Sequence, residues 1–264
     1  MVENPVNLVY NGYTTETNAN LVYDPDELTW WRHYWRISFP AFWRTIGKAF
    51  GWWNDLHWGW KILIGVVVLL TLGLGAAFLP GADGVIFGAA FSTALSSAAI
   101  GTGIAAIGGI GAAIDDESIA ASILNGAAGG FAIGAVTGGI YGAASSVIRI
   151  ATGATNIYGS AQVNSATFFH RMASNMQAGK MVMSGQYSSI YLNSGLKTAG
   201  LKGGALRPDV IGIGRFGQNT LVEVTSTTQT AAQMAAKLQM MAGMNPGVNT
   251  VLINWVAIIG IILF

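Results

Sequence analysis

The chain of 264 residues has no cysteine, which excludes disulfide staples and thiolate-held metals. Histidine is almost as scarce. His33, His57 and His170 are the only three, and two of them fall in one tryptophan-rich segment. Histidine-pair ribonuclease, HNH nuclease and zinc hydrolase chemistry therefore lack the side chains they need. Charge is thin as well, at 9% of residues with a formal net charge of +1. After Glu117 there are only two acids, Asp209 and Glu223. There is no P-loop. Gly212, Gly214 and Gly217 have the spacing of a dinucleotide fingerprint, but no helix follows them, and that fingerprint needs a helix N-terminus. No basic stretch runs into an apolar one near residue 1, so no cleavable secretion leader is expected.

What the chain has instead is glycine, 36 residues of it, and long uncharged runs. Residues 1–27 form a polar segment. Residues 28–60 carry eight of the nine tryptophans, interleaved with Arg32, Arg36, Arg44 and Lys48. That mixture suits the headgroup layer of a bilayer. Stacking on nucleic-acid bases and an aromatic core are the rival readings, and the next run favours the membrane. Residues 61–82 read as a transmembrane helix. They include 21 consecutive uncharged residues from Ile62, enough to cross a hydrocarbon layer of roughly 30 Å, with Lys61 and the tryptophans as anchors. A buried helix of a soluble domain is the competing reading.

Residues 84–149 place two uncharged arms around Asp115-Asp116-Glu117 and close on Arg149, which predicts a helical hairpin. Gly126, Gly130, Gly134, Gly138 and Gly142 recur at every fourth position, an extended GxxxG ladder for close helix packing in a membrane. These arms are less apolar than 61–82. Their insertion is expected to be conditional, and easier once the three acids are protonated. A soluble Ala/Gly-rich hairpin or a low-complexity linker is the alternative. Residues 150–165 are small and polar and read as a linker to a C-terminal domain over 166–264. From Arg171 onward seven basic residues face two acids, a balance of +5 that leaves about −4 for the rest. A basic C-terminal domain suits a polyanionic substrate.

Within that domain, 166–183 predicts a helix with Phe168, Met172, Met176 and Met183 toward the core. Residues 184–198 predict a short helix or turn. Residues 207–214, with β-branched Val210, Ile211 and Ile213, predict a strand. Phe216-Gly217-Gln218-Asn219 is turn chemistry, and 220–226 predicts the second strand of a hairpin. A helix over 228–243, with Met234, Leu238 and Met241 buried, stops at Asn245-Pro246-Gly247. A strand over 250–256 follows, then a wholly apolar tail too short to cross a bilayer. Leu221, Glu223 and Thr225 share one face of their strand. The hairpin brings the Asp209 and Glu223 carboxylates together, with Arg207 and Arg215 as basic neighbours. Such a pair suits a hard divalent cation such as Mg²⁺, which activates water and neutralises a phosphodiester. Two solvated acids at strand ends are the simpler alternative.

Pro208-Asp209, a hairpin and Glu223-Val224-Thr225 resemble the core of the PD-(D/E)xK nuclease superfamily. The similarity is closer to its toxin-borne members at the tips of Rhs-type bacterial polymorphic toxins. Their pattern of Arg-Pro-Asp, hairpin, Glu-Val-x-Ser, Gln-Thr and helix is matched by Arg207-Pro208-Asp209, Glu223-Val224-Thr225-Ser226 and Gln229-Thr230. The resemblance covers about residues 169–255. The glycine-rich region, Asn4-Pro5-Val6-Asn7 and Tyr23-Asp24-Pro25 are similar to stretches that flank such tips.

The resemblance implies an α/β C-terminal domain with an αβββαβ restriction-endonuclease-like core, preceded by an all-α membrane-associated region. It implies Asp209, Glu223, Ser226 and Gln229 as catalytic residues. Mg²⁺ or Mn²⁺ would sit on Asp209 and Glu223 with the Val224 carbonyl. The implied substrate is nucleic acid, DNA ahead of RNA, and a cognate immunity protein is implied as partner. One position departs from the pattern, because the superfamily's lysine falls on Thr225. Gln229, Gln233 and Lys237 are spaced for one helical face, which offers Lys237 as a replacement, although a solvated helix lysine is its simpler reading. The glutamate that superfamily members often carry on the first helix is also missing, and Gln177 is the nearest polar substitute. Arg207 and Thr225 complete the supporting candidates. Lys197 and Lys202 are candidate phosphate contacts.

These features together predict a membrane-associated or secreted toxin tip that hydrolyses nucleic acid in the cytoplasm of a target cell. A membrane-permeabilising toxin with an inactive nuclease-like domain is the main rival. A structural membrane protein, for which the Asp209/Glu223 pairing is coincidence, is the third reading.

Overall fold

A computed structural model describes residues 51–53, 55–112, 119–161, 167–204, 206–225 and 229–254. The chain divides into two units, Met1–Leu56 and His57–Phe264, and every element below belongs to the second. Segment 1–27, most of segment 28–60, the acidic tip Asp115-Asp116-Glu117, Ser226 and the tail beyond Asn254 lie outside the described residues.

Helix α1 (Trp58–Phe78) starts three residues before the expected boundary, because the His57 side chain caps it by accepting the Gly59 N–H at 3.2 Å. It ends at Phe78, where Leu79 turns extended ahead of Pro80. Gly81 then takes a positive φ of 56° and the chain reverses into α2 (Gly81–Ala112). Helix α3 (Ile119–Ala151) runs back along α2. Among the described residues these are three helices long and apolar enough to cross a membrane.

The glycine ladder is the seam between α2 and α3. A Cβ on Gly126 would strike the Ala105 carbonyl, and one on Gly130 the Gly101 carbonyl. Gly134 faces Ser97, Gly138 faces Thr93 and Gly142 faces Ala89 in the same manner. The glycines climb α3 in fours as their partners descend α2, so the hairpin is antiparallel and backbone lies on backbone. Thr93 Oγ1 crosses the seam and donates to the Gly138 carbonyl at 2.6 Å. Lys61, expected as an interfacial anchor, is instead buried on the bundle with its Nζ donating to Asn125 Oδ1 at 2.6 Å.

The C-terminal part is a mixed five-stranded sheet in the order β1-β2-β3-β4-β5. Strand β1 (Asn156–Gly159) lies inside the stretch expected to be linker, and pairs parallel with β2 (Tyr187–Leu192). β2 replaces the expected short helix or turn. Its Ile190 and Leu192 alternate inward, and pairing on both edges fixes it as a strand. β2, β3 (Val210–Gly214) and β4 (Thr220–Val224) form an antiparallel meander. Helix α5 (Ala231–Met244) then crosses over to β5 (Asn249–Ile253), parallel to β4.

Helix α4 (Phe168–Ser184) covers one face of the sheet and α5 the other. Ala178, Met181 and Val182 of α4 pack on Ile190, Leu192, Val210 and Val222. Leu238 and Met241 of α5 pack on Ile211 and Leu221. β4 is buried along its whole length because both faces are covered. Met172 and Met176 are buried as expected, whereas Met183 and Phe168 are only half-buried.

Candidate active site

Asp209 and Glu223 meet at one end of the sheet, just before β3 and near the end of β4. The backbone fixes Asp209 first. Its N–H donates to the Val222 carbonyl at 3.0 Å, and its carbonyl accepts from the Asn193 N–H at 2.9 Å. Asn193 sits at φ 45°, a conformation asparagine tolerates better than most residues. The side chain is then held through one oxygen. The Val224 N–H reaches Asp209 Oδ2 at 2.8 Å, and His170 Nε2 stands 3.3 Å from the same atom.

Glu223 points from β4 toward α5, with 2% of its side chain exposed. Lys237 Nζ lies 2.5 Å from Glu223 Oε1 and donates to the Arg207 carbonyl at 2.8 Å. The well-aligned hydrogen bond is the one to Arg207, and the Glu223 contact is an ion pair. Burial pushes the Glu223 carboxyl up to about 7 from its ordinary 4.5, the adjacent Asp209 carboxylate pushes the same way, and Lys237 opposes both. The expectation of a solvated Lys237 is thus corrected. Its amine enters the site from α5, although Thr225 occupies the position of the motif lysine.

Thr225 is buried and faces β5. Its N–H donates to the Ile253 carbonyl at 2.9 Å and its hydroxyl reaches Asn254 Oδ1 at 3.4 Å. Gln229 is exposed and precedes Thr230, the N-cap of α5, so the helical face expected to join it to Lys237 does not form. Gln233 turns back instead, and its Oε1 accepts the Thr230 N–H at 2.9 Å in a capping box. Arg207 contributes its carbonyl, and its side chain is exposed. Lys197 and Lys202 have exposed side chains beside the loop that leads to β3. Ser226 lies outside the described residues.

His170 is the residue that sequence reasoning missed. It stands on the first helix of the C-terminal domain, where the resemblance implies a glutamate and Gln177 is the nearest polar substitute in the sequence. Gln177 lies seven residues further on, about 10 Å along the axis. One histidine 39 positions before Asp209 has no motif around it. Only the crossing of the α4 N-terminus over the start of β3 reveals it.

Among the described residues no three His, Asp or Glu side chains form a ready metal cage. The donor set nevertheless fits Mg²⁺, which takes one or two carboxylates and completes its shell with water and phosphate oxygens. A divalent cation between the buried Glu223 carboxyl, with its raised proton affinity, and Asp209 would relieve their repulsion. The Val224 N–H points to the Asp209 edge of β4, so its carbonyl faces that edge too.

The sequence matches no family model, and no curated protein or solved structure is similar to it.

Proposed function

We propose that the C-terminal domain is a metal-dependent nuclease of the PD-(D/E)xK type, borne on a membrane-associating helical region as the tip of a bacterial polymorphic toxin. DNA is its preferred substrate. The observation that carries this reading is the convergence of Asp209, Glu223 and Lys237 at one sheet end. The order helix, three-strand meander, crossover helix and parallel strand supports the reading as an αβββαβ core, with β1 as an addition.

Asp209 and Glu223, with the Val224 carbonyl, would hold Mg²⁺ or Mn²⁺. When bound, the cation supplies Lewis-acid activation of water and phosphate. Lys237 places a positive charge where negative charge develops in phosphodiester cleavage, from α5 rather than from the strand. The Val224 N–H holds Asp209 Oδ2, with His170 Nε2 beside it, and the other carboxylate oxygen would face the cation. Lys197, Lys202 and Arg207 offer solvent-facing cations for phosphates.

The test uses the full-length chain, because Val85 of α2 belongs to the same buried cluster as the sheet core. Supercoiled plasmid and a structured RNA are incubated with the protein and Mg²⁺, beside EDTA and the Asp209→Ala, Glu223→Ala and Lys237→Ala variants. Mg²⁺-dependent nicking that all three variants lose is the expected result. If the folded chain cuts neither nucleic acid but releases dye from vesicles, the membrane-permeabilising reading takes over. The three apolar helices favour that second reading.

A further inference from the structure

Helix α4 is buried on almost every side, and the sheet accounts for only one of them. Its outer face lies on α1 and α2. A Cβ on Gly88 would meet the Asn175 backbone, and one on Gly179 would stand 2.6 Å from Ala89 Cα, so the two helices touch backbone to backbone. Asn175 Nδ2 donates to the Ala76 carbonyl at 2.7 Å. The Phe78 and Phe168 rings stand 5.7 Å apart, with the Arg171 guanidinium 5.3 Å from the Phe78 centroid. Leu69, Leu72 and Ala77 of α1 join Met172 and Met176 in one cluster. The covered part of α1 is therefore its last ten residues.

Helix length turns this contact into a conflict. With 21 residues, α1 is about 31 Å long, barely more than the roughly 30 Å of a hydrocarbon layer. To cross a bilayer it must commit every turn, including those under α4. The flank of α1 away from α4 is exposed and apolar along most of its length, through Leu63, Val67, Leu70 and Leu74. On α2 the exposed apolar positions Ile100, Ile104, Ile107 and Ile110 lie only in the distal half, and the half under α4 is equally uncharged beyond Asp83. Yet α4 brings Arg171 and Asn175, with the sheet behind them, to the same level along α1. Ionised side chains and a polar sheet do not enter hydrocarbon readily.

We infer that the surface of α1 and α2 beneath α4 is a lipid-binding surface in its own right, and that a phospholipid bilayer and the C-terminal domain compete for it. The arrangement described above is the docked state. When α1 crosses a bilayer, α4 leaves α1 and α2, Val85 leaves the sheet core, and the C-terminal domain stays on a tether at the membrane surface. The inference rests on the three apolar helices and not on the nuclease reading.

The chain has no cysteine, so Leu74→Cys with Lys180→Cys adds its only thiols, both at exposed positions that leave the interface intact. The full-length double variant is spin-labelled. The distance distribution between labels is measured by double electron–electron resonance in lipid-free protein and in vesicles of phosphatidylethanolamine and phosphatidylglycerol. Protease protection of α1 in the same vesicles reports crossing. The expected result is a narrow distribution without lipid, and one shifted wholly to longer distances in vesicles where α1 is protected. Protected α1 with the lipid-free distribution unchanged overturns the inference. So does a failure of α1 to become protected at either neutral or acidic pH, since lipid is then not the competitor. Neither outcome bears on plasmid cleavage, so the nuclease reading stands or falls separately.

Discussion

Where α2 meets α3, carbonyl oxygens fill the space that side chains take elsewhere. Five glycines on α3 each face an α2 backbone group, and the residues buried at the seam are chiefly alanine and serine. Where the sheet meets α4 and α5, the contact is made by Ile190, Leu192, Ile211, Leu221, Val222 and Met241, all buried. The second kind of contact is driven by removing apolar area from water, at about 25 cal/mol per Å². The first removes little side-chain area. It depends on dispersion and on complementary backbone surfaces, which are as effective in lipid as in water. The chain therefore joins a region whose packing is indifferent to solvent to one whose packing requires water.

That contrast implies opposite responses to side-chain volume. Gly134→Leu should be strongly damaging to the hairpin, because its Cβ has no room beside the Ser97 carbonyl. Overpacking costs about 1–3 kcal/mol in ordinary cores, and a rigid backbone cannot yield as a side chain can. The expected outcome is loss of the closed hairpin, read as rapid proteolysis within α2 and α3 in detergent. In the sheet the sensitivity is to removal. Leu221→Ala should cost about 2–5 kcal/mol in chemical denaturation, with the hairpin left protected. If Gly134→Leu were tolerated while Leu221→Ala also opened the hairpin, the two regions would not differ as described.

A smaller effect separates the regions by pH. Glu223 holds its proton to about pH 7 in the folded chain, against an ordinary value of 4.5. Between those values the folded form keeps a proton that the unfolded chain has lost. Stability should therefore fall as pH rises from about 4.5 to about 7 and level off above, by at most about 3 kcal/mol. Glu223→Gln should flatten that slope in denaturation curves recorded with EDTA. Added Mg²⁺ should stabilise the wild type more above pH 7 than below pH 5, since binding displaces the proton. The glycine seam has no acid or base on it and should show no such trend.

How far the sequence revealed each region follows from the same contrast. The apolar helices were legible because period and composition report them directly: the four-residue glycine spacing fell on the α2–α3 seam as drawn. The hairpin of β3 and β4, and the buried side of α5 at Met234, Leu238 and Met241, were legible for the same reason. Strand β2 was not, because Tyr187-Ser188-Ser189-Ile190 has little β-pattern until its partners β1 and β3 supply it. β1 was read as linker because edge strands carry few apolar residues. Within the site, Asp209 and Glu223 were visible as isolated acids. Lys237 was only half visible, since a lysine on a helix is usually solvated, and its ion pair depends on the crossover angle of α5. His170 was invisible, because the N-terminus of α4 reaches Asp209 only through packing between layers.

The mildest prediction concerns that histidine. His170 Nε2 stands 3.3 Å from the Asp209 Oδ2 that the Val224 N–H holds, so losing the imidazole leaves the carboxylate restrained by the backbone. On the proposed function, His170→Ala should weaken Mn²⁺ binding by about tenfold, as is usual when a partner of a metal-binding carboxylate is removed. His170→Gln, which keeps a donor on a side chain of similar reach, should recover part of that loss. Calorimetric titration with Mn²⁺ measures both variants, and spin-echo modulation from a ring nitrogen would instead show the imidazole to be a direct ligand. Equal losses for Ala and Gln, with unchanged stability, would mean that His170 acts by ring shape and not through its polar contact with Asp209. The site would then depend on α4 for packing alone, and the two regions would be joined less closely than the shared helix suggests.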